Sequence, residues 1–121
     1  MNQDGEKYDL RKRTLDFALR IIRLSSRLPN TPEGWTIRKQ IVKSGTSPGA
    51  HYREACRARS VAEFISKIEG GLQELDETAY WFELLVESER VPSVKLQDLM
   101  QEANELIAIF VTSIKTSEQR S

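Results

Sequence analysis

Between Val61 and Val86 the apolar residues Val61, Phe64, Ile65, Ile68, Leu72, Leu75, Ala79, Phe82 and Val86 return every three or four positions. That spacing draws one stripe along about seven turns of α-helix, and no strand could bury it on a single face. A long amphipathic helix must be covered by other helices of the same kind, so the pattern sets the fold class before anything else is considered. Ser60, with Glu63 three residues on, forms a capping box at its start. Gly70-Gly71 lies in mid-helix, where glycine costs about 1 kcal/mol per residue relative to alanine. The pair therefore implies the close approach of another backbone or a bulky ring.

Three further segments supply the cover. Asp9 is an N-cap for a helix predicted over residues 10–28, ended by Pro29, with Leu10, Thr14, Phe17, Ile21, Leu24 and Leu28 on its core face. Leu15, Ala18, Leu19 and Ile22 form a second apolar wing on the same helix. Thr31, Pro32 and Glu33 open the next helix, which Trp35, Ile37, Ile41 and Val42 carry forward. Pro48 interrupts it within Ser44-Gly45-Thr46-Ser47-Pro48-Gly49-Ala50, but Tyr52, Ala55 and Cys56 resume the pattern. A kinked continuous helix ending near Arg59 is expected. After Pro92-Ser93 the last helix steps through Leu96, Leu99, Ala103, Leu106, Phe110 and Ile114 into a polar tail that is expected to fray.

Glycine and proline are scarce, 6 and 4 in 121 residues, which suits helices joined by short turns. The expected fold is all-α: an antiparallel, up-and-down four-helix bundle forming a single domain over 1–121, with 1–8 and 116–121 flexible. Tyr80, Trp81 and Leu85 lie off the long stripe, as does Leu84. With Leu15, Leu19 and Ile22 they make an apolar surface that suits contact between copies of the protein.

The neutral net charge conceals a division. Residues 1–60 carry 13 of the 18 Lys and Arg and 6 of the 18 Asp and Glu, net +7; residues 61–121 carry 5 and 12, net −7. Lys12, Arg13, Arg20, Arg23 and Arg27 share one sector of the first helix, broken only by Asp16, and Arg38, Lys39, Lys43, Arg53, Arg57 and Arg59 follow in the second. Glu69, Asp76, Glu83 and Glu87 build an acidic ridge on the third. The two sets can pair within one protomer, pair between subunits, or leave the basic set free for phosphates.

Residues suited to catalysis are few. His51 is the only histidine, and Cys56, the only cysteine, lies on another helical face. A zinc site and a di-iron bundle site both lack ligands. The glycine- and serine-rich stretch is not a phosphate-binding loop of the strand-to-helix type. The expectation is a non-enzymatic protein with no cofactor and no metal. A polar N-terminus and the lack of any long apolar run add a cytoplasmic location without a membrane partner.

The run Ser44-Gly45-Thr46-Ser47-Pro48-Gly49-Ala50-His51-Tyr52-Arg53-Glu54-Ala55-Cys56-Arg57-Ala58-Arg59-Ser60 resembles the 23S rRNA-intervening-sequence proteins. Glu63-Phe64-Ile65, Lys67, Glu74, Glu77-Thr78, Tyr80-Trp81 and Glu83-Leu84-Leu85 extend the likeness over nearly the whole sequence in helix order. The pattern departs at His51, where the family carries Asn, and at Pro48, where it carries an aliphatic residue. The resemblance implies a four-helix protomer and a ring of five subunits. Some members are encoded in insertions within large-subunit rRNA genes, and a related bundle is the accessory protein of diversity-generating retroelements, where a positive pentamer is linked to RNA binding. Two functions stay open. One is a homo-oligomer, pentamer favoured, that binds RNA or DNA backbone through the basic residues; the other is a homo-oligomeric adaptor for a protein partner.

Overall fold

The computed structural model describes residues 9–120. They form four helices: α1 Leu10–Ser25, α2 Pro32–Cys56, α3 Val61–Glu87 and α4 Ser93–Arg120, with no strand among the described residues. Three N-caps are those expected. The amides of Lys12, Gly34 and Glu63 donate to the side chains of Asp9, Thr31 and Ser60 at 3.2, 3.1 and 3.0 Å. Glu63 answers in kind by accepting from the Arg59 amide at 3.3 Å.

Helix ends differ from expectation for identifiable reasons. α1 stops at Ser25 rather than residue 28, since the amides of Arg27 and Leu28 turn back to the carbonyls of Leu24 and Ser25 at 3.0 and 3.2 Å. Pro29 also disfavours a helical Leu28. α2 passes through Pro48 unbroken and ends at Cys56, short of Arg59. The missing proline N–H leaves the Ser44 carbonyl without its helical donor. Hydroxyls of Thr46 and Ser47 bond back to the Val42 and Lys43 carbonyls at 2.6 and 2.5 Å, a pattern that favours bending. α4, including the tail expected to be flexible, is helical to Arg120, with basic charge at the negative end of the helix dipole. Residues 1–8, also expected to be flexible, lie outside the described residues.

Packing fixes the direction of each helix. Gly45 and Gly49 on α2 meet Ile21 and then Thr14 on α1, so the number falls on one helix as it rises on the other. On α2 and α3 the order is Ser44 with Thr78, His51 with Gly70, and Glu54 with Lys67. Gly71 of α3 meets Phe110 of α4. Each neighbour is antiparallel, and α1 closes the square against α4 along the sparsest seam. Fully buried Phe17, Ile21, Ile41, Ile68, Leu75, Phe82, Leu96, Leu106 and Phe110 fill the centre. Phe17 and Phe82 meet edge to face across the diagonal, 6.4 Å between centroids.

The α3 stripe departs from the expected pattern in three details, of which the first is that Val61, at its start, is exposed. The core steps through Leu75, Thr78, Phe82 and Leu85 rather than Ala79 and Val86. Thr78 can be buried because its hydroxyl bonds to the Glu74 carbonyl and meets Ser44 Oγ, each at 2.8 Å. Leu85, expected at a subunit contact, is only 1% exposed and belongs to the core. Trp35 departs the other way, lying outside the α2 core at 56% exposure.

Candidate nucleic-acid interface

Two of the predicted basic residues hold the bundle itself. Arg13 reaches across the α1–α4 seam as a bidentate clamp on Glu102, at 3.0 and 2.6 Å, and touches Glu105 at 2.9 Å. The hydrogen bond to Glu102, the largest influence, raises the arginine above its ordinary range despite partial burial. Arg38 folds back from α2 onto the end of α1, donating to the carbonyls of Ser25 and Leu28 at 2.8 and 2.6 Å. Its guanidinium thus caps the C-terminus of α1 from the helix that follows. Both leave the set of cations free for a polyanion, since their donors are taken by the protein.

Lys12, Arg20, Arg23, Arg27, Lys39, Lys43, Arg53, Arg57 and Arg59 make no ion pair among the described residues. They do not form one surface. Arg20, Arg23 and Arg27 sit toward the end of α1, beside the start of α2, whereas Arg53, Arg57 and Arg59 lie at the far end of α2. The 25 residues of α2 put about 37 Å between its ends. Lys39 and Lys43 stand exposed between.

Two cations absent from the predicted set join the first group. Arg90 and Lys95 flank the α3–α4 turn, and together with Arg20, Arg23 and Arg27 they line a cleft of about 360 Å³, to which Leu24, Leu28, Val91, Pro92 and Leu99 contribute apolar surface. An antiparallel bundle brings this turn to the same end as the α1–α2 turn, so the Pro92-Ser93 break carried a signal that sequence reasoning left unused. The Arg90 backbone is fixed by a Schellman closure: its amide donates to the Leu85 carbonyl at 3.0 Å, and that of Glu89 to Val86 at 3.0 Å. Its guanidinium pairs with Glu33 at 3.0 Å, both side chains half exposed.

The acidic ridge is equally open. Glu69, Asp76, Glu83 and Glu87 are exposed, and none of them enters an ion pair among the described residues. Beside these charges, Leu15, Leu19 and Ile22 are 48, 41 and 49% exposed, and Tyr80 is 55% exposed. Trp81 is half-buried; its indole N–H donates to Glu77 at 3.0 Å and its ring meets Tyr80 edge-on at 5.0 Å. The surface expected between copies therefore keeps its α1 wing and Tyr80, shares Trp81 with the core and loses Leu85.

At the opposite end of the molecule a half-open groove of about 530 Å³ runs past Leu10, Tyr52, Phe64, Ile109 and Thr112. Burial first, and then Cys56, push the Tyr52 phenol up to about 12, so it keeps its proton throughout the neutral range. The His51 ring packs on Gly70, where a Cβ would stand 2.9 Å from Nδ1. That buried Nδ1 has no hydrogen-bond partner among the described residues, and the Glu54 carboxylate is 3.9 Å away. No trio of His, Cys, Asp or Glu among the described residues is arranged to hold a metal ion. No described helix is long and apolar enough to cross a membrane.

Helix order, register and a shared central core define a four-helix bundle whose conspicuous chemistry is surface charge. The model of the family described as 23S rRNA-intervening sequence protein matches residues 6–112, and the chain belongs to that family. It is similar to a solved structure from Bacteroides thetaiotaomicron VPI-5482, described as a protein with unknown function from the S23 ribosomal protein family. The two share 37% identity over 87% of this chain and 97% of the other, with a TM-score of 0.82. No curated protein matches.

Proposed function

We propose that the protein is a non-enzymatic homo-oligomer, pentamer favoured and cytoplasmic, that binds the backbone of RNA or DNA. One observation carries the proposal: among the described residues, cations of α1 and α2 and the carboxylates of the α3 ridge are both left without ion-pair partners in the protomer. The exposed wing of Leu15, Leu19 and Ile22 lies on the same helix as Arg20, Arg23 and Arg27. Apolar contact flanked by opposite charges suits a heterologous interface that closes into a ring. Cations not used in closure then face the polyanion. Binding is electrostatic, because the described residues present arginine and lysine without a recognition helix, a zinc finger or an aromatic RNA-binding sheet among them. The family's description puts 23S rRNA segments first among the probes.

Light scattering on the size-exclusion peak tests assembly: five subunits are expected, and a monomer at concentrations on the order of tens of micromolar overturns it. Nucleic-acid affinity should fall steeply with salt, by a log–log slope of about −0.7 per neutralised phosphate on single strands and −0.9 on duplex DNA. An oligomer that binds neither RNA nor DNA at low salt is instead the adaptor for a protein partner.

A further inference from the structure

We infer that the cleft between the end of α1 and the α3–α4 turn is a notch for one nucleotide unit of a single-stranded nucleic acid. This deepens the backbone-binding reading and rests on it. Five cations, Arg20, Arg23, Arg27, Arg90 and Lys95, line one cleft in which Asp98 is the one acidic lining residue. They come from opposite halves of the sequence, so the fold concentrates positive charge where the sequence spreads it. Such convergence raises the local density of phosphate groups.

Charge alone would suit any anion, but the apolar lining narrows the choice. Leu24, Leu28, Val91, Pro92 and Leu99 line the same cleft as the cations, Leu28 and Leu99 among them buried, and a bare phosphate would leave these apolar groups uncovered. A nucleotide carries both parts, a phosphate for the cations and a flat base for the apolar lining. Arginine also stacks its guanidinium on base faces, as lysine does not, and four of the five cations are arginine. At about 360 Å³ the cleft falls in the range of small-ligand sites. It admits an unstacked base, while a duplex offers the cations its phosphates alone.

A second copy's acidic ridge fits poorly. Glu69, Asp76 and Glu83 recur every seven residues, about 10 Å apart along a straight helix, and a row of that kind lies across a notch rather than entering it. The cleft is also ready-made. Pro92 and the Schellman closure fix the backbone around Arg90. The Arg90–Glu33 pair is half exposed, so an incoming phosphate can replace the carboxylate.

The test is fluorescence anisotropy with labelled oligouridine, oligothymidine and a duplex of equal phosphate number. Arg90→Ala/Lys95→Ala alters exposed turn side chains, and Arg53→Ala/Arg57→Ala serves as the control at the far end. The intact protein should prefer both single strands to the duplex. The cleft variant should lose about tenfold in single-strand affinity and lose that preference, with an unchanged oligomer and thermal melt. The control should weaken single strands and duplex alike. Backbone binding without single-strand preference, or preference retained in the cleft variant, overturns the notch while leaving the backbone-binding reading standing. A cleft variant that falls apart into smaller species assigns the cleft to a subunit contact and overturns it too. An intact protein that binds none of the three probes at low salt overturns both.

Discussion

Glu89 sits at φ 61°, in the left-handed region that closes a Schellman motif and that glycine occupies without strain. A Cβ there works against the turn, yet the turn is made, because the Arg90 and Glu89 amides satisfy carbonyls of the last helical turn. Glu89→Gly should therefore raise stability by about 0.5–1 kcal/mol, read as a higher urea midpoint with unchanged slope. An unchanged or lowered midpoint would mean that the Glu89 carboxylate and its stem contribute more to the native state than the backbone strain removes. Glycine acts differently at Gly45 and Gly71. There an added Cβ would lie 2.7 Å from Ile21 Cγ1 and 2.6 Å from Phe110 Cε2, so these positions serve close packing. The mid-helix pair Gly70-Gly71 announced that approach in the sequence, though not that the ring of Phe110 and the imidazole of His51 would make it.

At the scale of a helix, caps and stripes were legible because they depend on neighbours within a turn or two. Asp9, Thr31 and Ser60 cap as their local chemistry requires, and α2 survives Pro48 because the pattern resumes at once. Roles set by another helix were not legible. Thr78 takes the core in place of Ala79 because its hydroxyl, bonded to the Glu74 carbonyl, also meets the hydroxyl of Ser44, 34 residues away. Arg38 read as one more free cation, although it closes α1. Arg38→Ala should destabilise the bundle by about 1.5–3 kcal/mol, the scale of hydrogen bonds from a charged donor, with nucleic-acid affinity per folded molecule unchanged. Chemical denaturation and anisotropy together check it. Lost affinity at full stability would return Arg38 to the polyanion surface.

Across the whole molecule, the charge split was visible as a total but not as a map. The fold gathers most of the free arginines at two ends, leaves Lys39 and Lys43 between them, and recruits Arg90 and Lys95, from the acidic half, to one end. Only the register of antiparallel helices decides that arrangement. The same topology leaves α1, at 16 residues the shortest helix, packed chiefly on α2, with a sparse seam to α4 bridged by Arg13. Native-state hydrogen exchange should find α1 amides opening at lower free energy than those of α2, α3 and α4. Uniform protection across all four helices would show a single cooperative unit instead. A helix that detaches before its companions exposes Phe17 and Ile21 together with the groove they leave, and in an assembly the nearest matching groove belongs to the next subunit. In the homo-oligomer proposed above, copies would have a low-cost route to trading helices, and the lifetime of that assembly would depend on one small seam.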